Sequence, residues 1–80
     1  MHYVYLIKSK KSPNQKYIGH TDNLRERLET HNSGGSTHTR NYRPWKLEMF
    51  FCFSDKLKAT AFEKYLKSWT GRAFAKKRFW

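Results

Sequence analysis

Tyr3-Val4-Tyr5-Leu6-Ile7-Lys8, a connection from Ser9 to Gln15, and Lys16-Tyr17-Ile18-Gly19-His20 form the stretch whose reading decides the fold. Both flanks are β-branched and aromatic. The middle (Ser9-Lys10-Lys11-Ser12-Pro13-Asn14-Gln15) is rich in turn formers, which predicts a β-hairpin with a long connection. Side chains alternate along a strand, so Tyr3, Tyr5 and Ile7 share one face while Val4 and Leu6 take the other. On the second strand Tyr17 and Gly19 point one way and Ile18 the other. If Tyr5 and Tyr17 fall on one face, two phenols converge beside a glycine that leaves room above the sheet. β-Propensity by itself also accounts for tyrosines in a half-buried strand.

Outward from the hairpin, His20-Thr21-Asp22-Asn23 offers several N-caps to a helix running from Leu24 to His31. Leu24 and Leu28 mark its buried stripe, and Arg27 and His31 stack one turn apart on the flank of that stripe. An arginine there either covers the core with its stem or presents its donors to a phosphate. Residues 32–44 read as a long polar loop, flexible at Gly34-Gly35 and basic at Arg40 and Arg43. Such a loop serves as a binding loop or as a solvated connector. Trp45 to Phe53 alternates, with Trp45, Leu47, Met49, Phe51 and Phe53 on one side and Lys46, Glu48, Phe50 and Cys52 on the other. Ser54-Asp55 caps a second helix through Leu57, Ala61, Phe62, Tyr65, Leu66 and toward Trp69, with Gly71 closing it. Arg72 to Trp80 is a basic, aromatic-interleaved segment read as a short helix. The expected fold is α+β, with a three-stranded antiparallel sheet (Tyr3–Lys8, Lys16–His20, Trp45–Phe53). Helices flank it in the order β-β-α-β-α-α, as one domain over residues 1–80.

Charge is the loudest compositional signal. Seventeen Lys and Arg against six acids give a net charge of +11 in 80 residues, the footprint of a polyanion partner, most often nucleic acid. An acidic protein or lipid surface is the other reading. No apolar run approaches the roughly twenty residues that span a bilayer, so no membrane is expected, and the chain opens directly on a strand pattern with no leader peptide. The single Cys52 excludes a disulfide framework and is compatible with a reducing, cytoplasmic setting. Cys52 with His20, His31 or His38 lacks the four ligands at motif spacing that zinc requires. The six acids (Asp22, Glu26, Glu29, Glu48, Asp55 and Glu63) are scattered, so a site with one metal ion is the most this chain supports.

Tyr3-Val4-Tyr5 followed by Tyr17-Ile18-Gly19 resembles the paired motifs of the GIY-YIG nuclease superfamily. The likeness continues through Asn23-Leu24-Arg25-Glu26-Arg27-Leu28 with His31-Asn32, Arg43-Pro44-Trp45, Glu63-Lys64-Tyr65-Leu66-Lys67 and Gly71-Arg72-Ala73-Phe74, most like the small stand-alone bacterial branch. The resemblance implies an endonuclease that hydrolyses DNA phosphodiester bonds and leaves a 5′-phosphate. It makes Glu63 the sole protein ligand of one Mg²⁺ or Mn²⁺ ion. Tyr17 acts as, or next to, the general base, and Tyr5 hydrogen-bonds or positions the attacking water; either phenol, or the two together, can take the proton. Arg27 binds the scissile phosphate, and His31 serves as proton shuttle or phosphate donor near its ordinary pKa of about 6.5. Arg40, Arg43, Arg72, Lys76, Lys77 and Arg78 are the nucleic-acid-binding candidates; the last four lie far in sequence from the site. Many family members carry an Asn after the metal Glu. None follows Glu63, so that supporting hydrogen bond is missing or is replaced by Ser68, Thr70 or a lysine. Three alternatives stay open: a catalytically weak nucleic-acid-binding module, a nuclease specific for single-stranded or branched DNA, and a nuclease directed by a targeting protein partner.

Overall fold

Extended aromatic and β-branched residues pair first with the neighbour a short connection returns to them. In the computed structural model, which describes residues 1–80, β1 (His2–Ser9) runs antiparallel to β2 (Lys16–Thr21). Tyr5 lies opposite Gly19 and Ile7 opposite Tyr17, so the two phenols share a face as the alternation predicts. β3 (Trp45–Phe53) pairs antiparallel with the other side of β1, giving the order β2-β1-β3. The sheet is the expected one, its first two strands extended by one residue at three of their ends. β1 is central, and Val4, Tyr5, Leu6 and Ile7 are fully buried because helices cover both of its faces.

Helix α1 (Leu24–Ser33) starts at Asn23, whose side-chain oxygen accepts the Glu26 N–H at 3.1 Å while its amide donates to the Glu26 carboxylate at 3.3 Å. That reciprocal cap settles which of the four N-cap candidates is used. Gly34 ends the helix at φ 88°, in the left-handed region that glycine enters without strain; the flexible point expected there is a helix cap. α1 packs on the Tyr5 face, with Ile7, Trp45, Tyr17, Leu24, Leu28, Tyr42 and Leu47. α2 (Lys56–Lys67) and α3 (Trp69–Arg78) pack on the other face, where Val4, Leu6, Ala59, Leu66 and Ala75 form the core. The rings of Phe51, Phe62 and Phe79 close around that core, Phe51 lying 4.8 Å from Phe62 and 5.1 Å from Phe79 between centroids.

Three local expectations are corrected. β3 does not keep one apolar side. Leu6 faces Met49 but Ile7 faces Leu47, so Glu48 is an extra residue in a β-bulge, which reverses the alternation beyond it. Trp45 and Leu47 therefore join the Tyr5 core, while Met49, Phe51 and Phe53 join the Val4 core. The second helix ends at Lys67, and Gly71 lies inside α3. Ser68 caps both helices: its hydroxyl donates to the Tyr65 carbonyl at 2.6 Å and accepts the Gly71 N–H at 3.2 Å. A side chain at Gly71 would overlap the Tyr65 backbone, so this glycine serves a close crossing and not a helix stop. Ala59 and Leu66 are the buried positions of α2 and Phe62 is partly buried between them, all spaced for one helix face, whereas Leu57 and Trp69 are 77% and 89% exposed.

The loop after α1 is also more than a connector. Its Ser36 and Thr39 are buried, and a 3₁₀ turn at Arg40–Tyr42 brings the Tyr42 carbonyl to the Ser9 hydroxyl, which donates at 2.6 Å. Asn32 fastens α1 to β3 by accepting the Trp45 N–H at 2.6 Å and donating to the Trp45 carbonyl at 3.2 Å.

Candidate active site

The hairpin register puts Tyr5 and Tyr17 side by side on one face, and α1 lays Arg27 and His31 over them. Ring centroids lie 6.4 Å apart for Tyr5 and Tyr17, 5.6 Å for Tyr5 and His31, and 5.1 Å for Tyr17 and His31. Gly19 makes this possible, because any Cβ there would overlap the Tyr5 hydroxyl. The Arg27 Nε–H donates to Tyr5 Oη at 3.2 Å. His31 Nε2 sits 2.8 Å from the same oxygen, and His31 Nδ1 sits 2.7 Å from Thr39 Oγ1. With Arg27 donating to the phenol oxygen, the phenol's own proton goes to Nε2 and the Nδ1 proton to Thr39. One neutral imidazole tautomer thus satisfies the whole relay. The Thr39 carbonyl is in turn held by Trp45 Nε1–H at 2.8 Å.

Burial sets the charges of this relay. It pushes the Tyr5 phenol above its ordinary 10; the Arg27 hydrogen bond and charge oppose that, and Tyr17 and Glu63 add to it. Arg27 is pushed up in turn, chiefly by its bond to Tyr5. Burial and then the Arg27 charge pull His31 down from 6.5 to about 4. The histidine expected to titrate near 6.5 is neutral at pH 7, fully buried and bonded at both nitrogens. Its folded pKa lies below its unfolded one, so its contribution to stability is complete above about pH 6.5 and is lost as pH falls toward 4. The loss is on the order of 3 kcal/mol in all. Thermal melts at pH 7 and pH 5 test this. The wild-type chain is expected to lose much more stability on acidification than His31→Gln, which starts lower; parallel losses would refute the assignment.

Glu63 comes from α2, which packs on the opposite face, and its charge adds a small part to the rise of the Tyr5 phenol. Its Oε2 accepts a hydrogen bond from Lys67 Nζ at 2.8 Å, and that ammonium also lies 5.7 Å from the Tyr17 ring centroid. Lys67 thus stands beside Glu63, where a lysine was one of the expected replacements for the family Asn; Ser68 is committed to the helix junction. No three His, Cys, Asp or Glu side chains group together. A single carboxylate with Oε1 unbonded fits one hard cation that keeps most of its waters, and does not fit a zinc cage. Arg27 has no carboxylate partner, since the ion pairs are Lys46–Glu48 and Lys67–Glu63.

The basic candidates divide. Arg72 and Lys76 do not lie far from the cluster: α3 folds back along α2, and both line a groove with Tyr17 and Lys67. Lys77 and Arg78 are exposed on α3 outside that groove. Arg40 and Arg43 are exposed on the loop after α1. The Arg43 guanidinium lies against Gly34 and its Nε donates to the Arg40 carbonyl at 2.9 Å, so Arg43 helps fix the end of α1. Two participants escaped the sequence reading. Thr39 carried no local signal, because only the fold brings it to His31. Lys67 was legible as a helical neighbour four residues after Glu63, but its second contact, with Tyr17, was not.

Residues 1–78 match the profile of the GIY-YIG catalytic domain. The chain belongs to the GIY-YIG family. Within this GIY-YIG group it is similar to a UPF0213 protein of Bacillus pumilus (strain SAFR-032), 41% identical over 70 residues that make up 86% of this chain and 69% of the relative. The solution NMR structure of a UPF0213 protein from Bacillus halodurans superposes with a TM-score of 0.56 at 29% identity, covering 95% of this chain and 82% of that one. A structure-specific endonuclease subunit SLX1 homolog of Giardia intestinalis is 38% identical over 65 residues, 76% of this chain and 18% of that much longer protein. The GIY-YIG motif here reads Tyr3-Val4-Tyr5 and Tyr17-Ile18-Gly19, and each element of the motif sits on the strand that the fold assigns to it.

Proposed function

We propose that this GIY-YIG chain is an endonuclease that hydrolyses DNA phosphodiester bonds with one Mg²⁺ or Mn²⁺ ion held by Glu63. The observation that carries the proposal is Arg27: a guanidinium locked onto a buried phenol, pushed further toward its charged form, and left without a carboxylate. Such a group is built to receive an anion that is not part of the chain. Its remaining N–H donors bind the phosphate and stabilise the negative charge that grows as the bond breaks. Tyr5 holds Arg27 and stays protonated at neutral pH, which removes it as the base. Tyr17 is half-buried, open to water on the β2 edge and flanked by Arg27 and Lys67; it accepts the proton of the attacking water. His31 fixes Tyr5 from behind through the Thr39 strut. A divalent ion, when bound, supplies positive charge to the phosphate oxygens and makes the water a better nucleophile.

A second reading has its own support. Lys67 occupies one oxygen of Glu63 and competes with a cation there, as suits a nucleic-acid-binding module of weak catalytic power. Incubation with plasmid, single-stranded and forked oligonucleotides, with Mg²⁺, Mn²⁺ or chelator, separates the two. Cleavage only with the cation, leaving 5′-phosphate ends, is expected; binding without cleavage under all conditions supports the module. Arg27→Lys keeps the charge but loses the planar fork, and is expected to cut about 10²-fold more slowly than the parent. Full activity in that variant would show that Arg27 only covers the core. A domain of this size leaves little surface for reading base sequence, so a targeting protein would supply that choice. The lone Cys52, exposed on β3, is compatible with a cytoplasmic setting.

A further inference from the structure

We propose that the groove between β2 and α3 is a stacking subsite that seats one unpaired nucleotide next to the bond being cut. The inference rests on the nuclease reading above and adds the form of the substrate. The groove has a volume of about 480 Å³ and is lined by Lys16, Tyr17, Lys67, Arg72, Lys76 and Trp80 over a floor of Ile18 and Leu66. That is the size of a small-ligand site. Four of its walls are cations and none is an acid, so the occupant is anionic. Two are aromatic rings, each with a lysine ammonium beside it: Lys16 lies 5.5 Å from the Trp80 centroid and Lys67 lies 5.7 Å from that of Tyr17.

Cations alone would bind any polyanion; the indole narrows the choice. Trp80 is partly buried and packs against the Val4 core, so its ring is held in place. It lines the groove, and the Lys16 ammonium lies over its face, a contact that an arriving base exchanges for stacking. A nucleobase satisfies both features, its π-face on the indole and its phosphates among Lys16, Arg72 and Lys76. A base inside a duplex is already stacked and paired on both sides and has no free face to offer. Tyr17 belongs to both the groove and the catalytic cluster, so the seated nucleotide adjoins the reacting phosphate. The substrate is therefore a strand unpaired beside the cleavage position. Stacking makes the subsite tolerant of base identity, because every base has a π-face.

The test measures binding by fluorescence anisotropy in chelator, so that no cutting intervenes, and cleavage separately with Mn²⁺. The probes are a labelled single strand, the same strand with one abasic position moved along it, and the matched duplex. Trp80→Leu keeps apolar packing and removes the ring; it is expected to weaken single-strand binding by about 5- to 150-fold, the range for loss of one stacked base, and duplex binding by less than about twofold. One position of the abasic series is expected to mimic that loss in the unmodified protein, and needs no variant to fold. Equal losses on single strand and duplex, or an abasic series with no sensitive position, would overturn the subsite and show Trp80 to be core filling. Cleavage that persists with a flat abasic series keeps the nuclease reading and removes the subsite. Ring-dependent single-strand binding without any cleavage does the reverse.

Discussion

A Glu63→Gln protein is expected to bind labelled DNA as the unmodified chain does and to cut none of it. Glutamine matches the shape of glutamate, and position 63 is partly exposed and belongs to neither core, so neither core changes. What changes is charge. The site has a single carboxylate to offer a cation, and no cluster of other ligands stands near to replace it. Loss of about 10³-fold or more is the scale expected when a principal source of transition-state charge stabilisation goes. Plasmid nicking with Mn²⁺ measures the rate. Titration calorimetry with Mn²⁺ alone should show heat of binding in the parent and none in the variant. Unchanged turnover would remove Glu63 from the site.

Tyr17→Phe comes second in size. It deletes one hydroxyl at a half-buried position and keeps the ring that contacts His31 and Lys67. The melting temperature should hardly move, while single-turnover cleavage should fall by about 10²–10⁴-fold, the usual worth of a general base. Tyr5→Phe is a control with a different signature. It leaves Arg27 Nε and His31 Nε2 facing a carbon in a buried place, so it should cost about 1–3 kcal/mol of stability as well as activity. If Tyr17→Phe cuts at the parent rate, the phenol is there for β-propensity alone.

The hairpin was legible because its face alternation needs only local rules: Tyr5, Tyr17 and Gly19 meet as a period of two requires. The helix that carries Arg27 and His31 was legible for the same reason, from its caps and its Leu24–Leu28 stripe. β3 misled because its residues alternate without a break, Glu48 included, so the extra residue shows only in the pairing with β1. The α2–α3 junction misled because Ser68 and Gly71 can each end a helix, and only the crossing at Tyr65 decides their parts. Chemical environment was the least legible. His31 looked like an ordinary titrating histidine until burial and the Arg27 charge were in view. Arg72 and Lys76 looked remote until α3 brought them beside Tyr17.

Because the bulge at Glu48 hands β3 from one core to the other, the pairing register of that strand matters as much as its composition. Paired strictly, without the bulge, the same nine residues would put Trp45, Leu47, Met49, Phe51 and Phe53 on one face and so turn one half of the strand to the wrong side. Turning the first half would pull Trp45 from the Thr39 carbonyl and Asn32, and so unfasten His31. Turning the second half would withdraw Phe51 and Phe53 from Phe62, and with them the footing of the helix that carries Glu63. Either slip reaches the chemistry from a strand that contributes no reacting group.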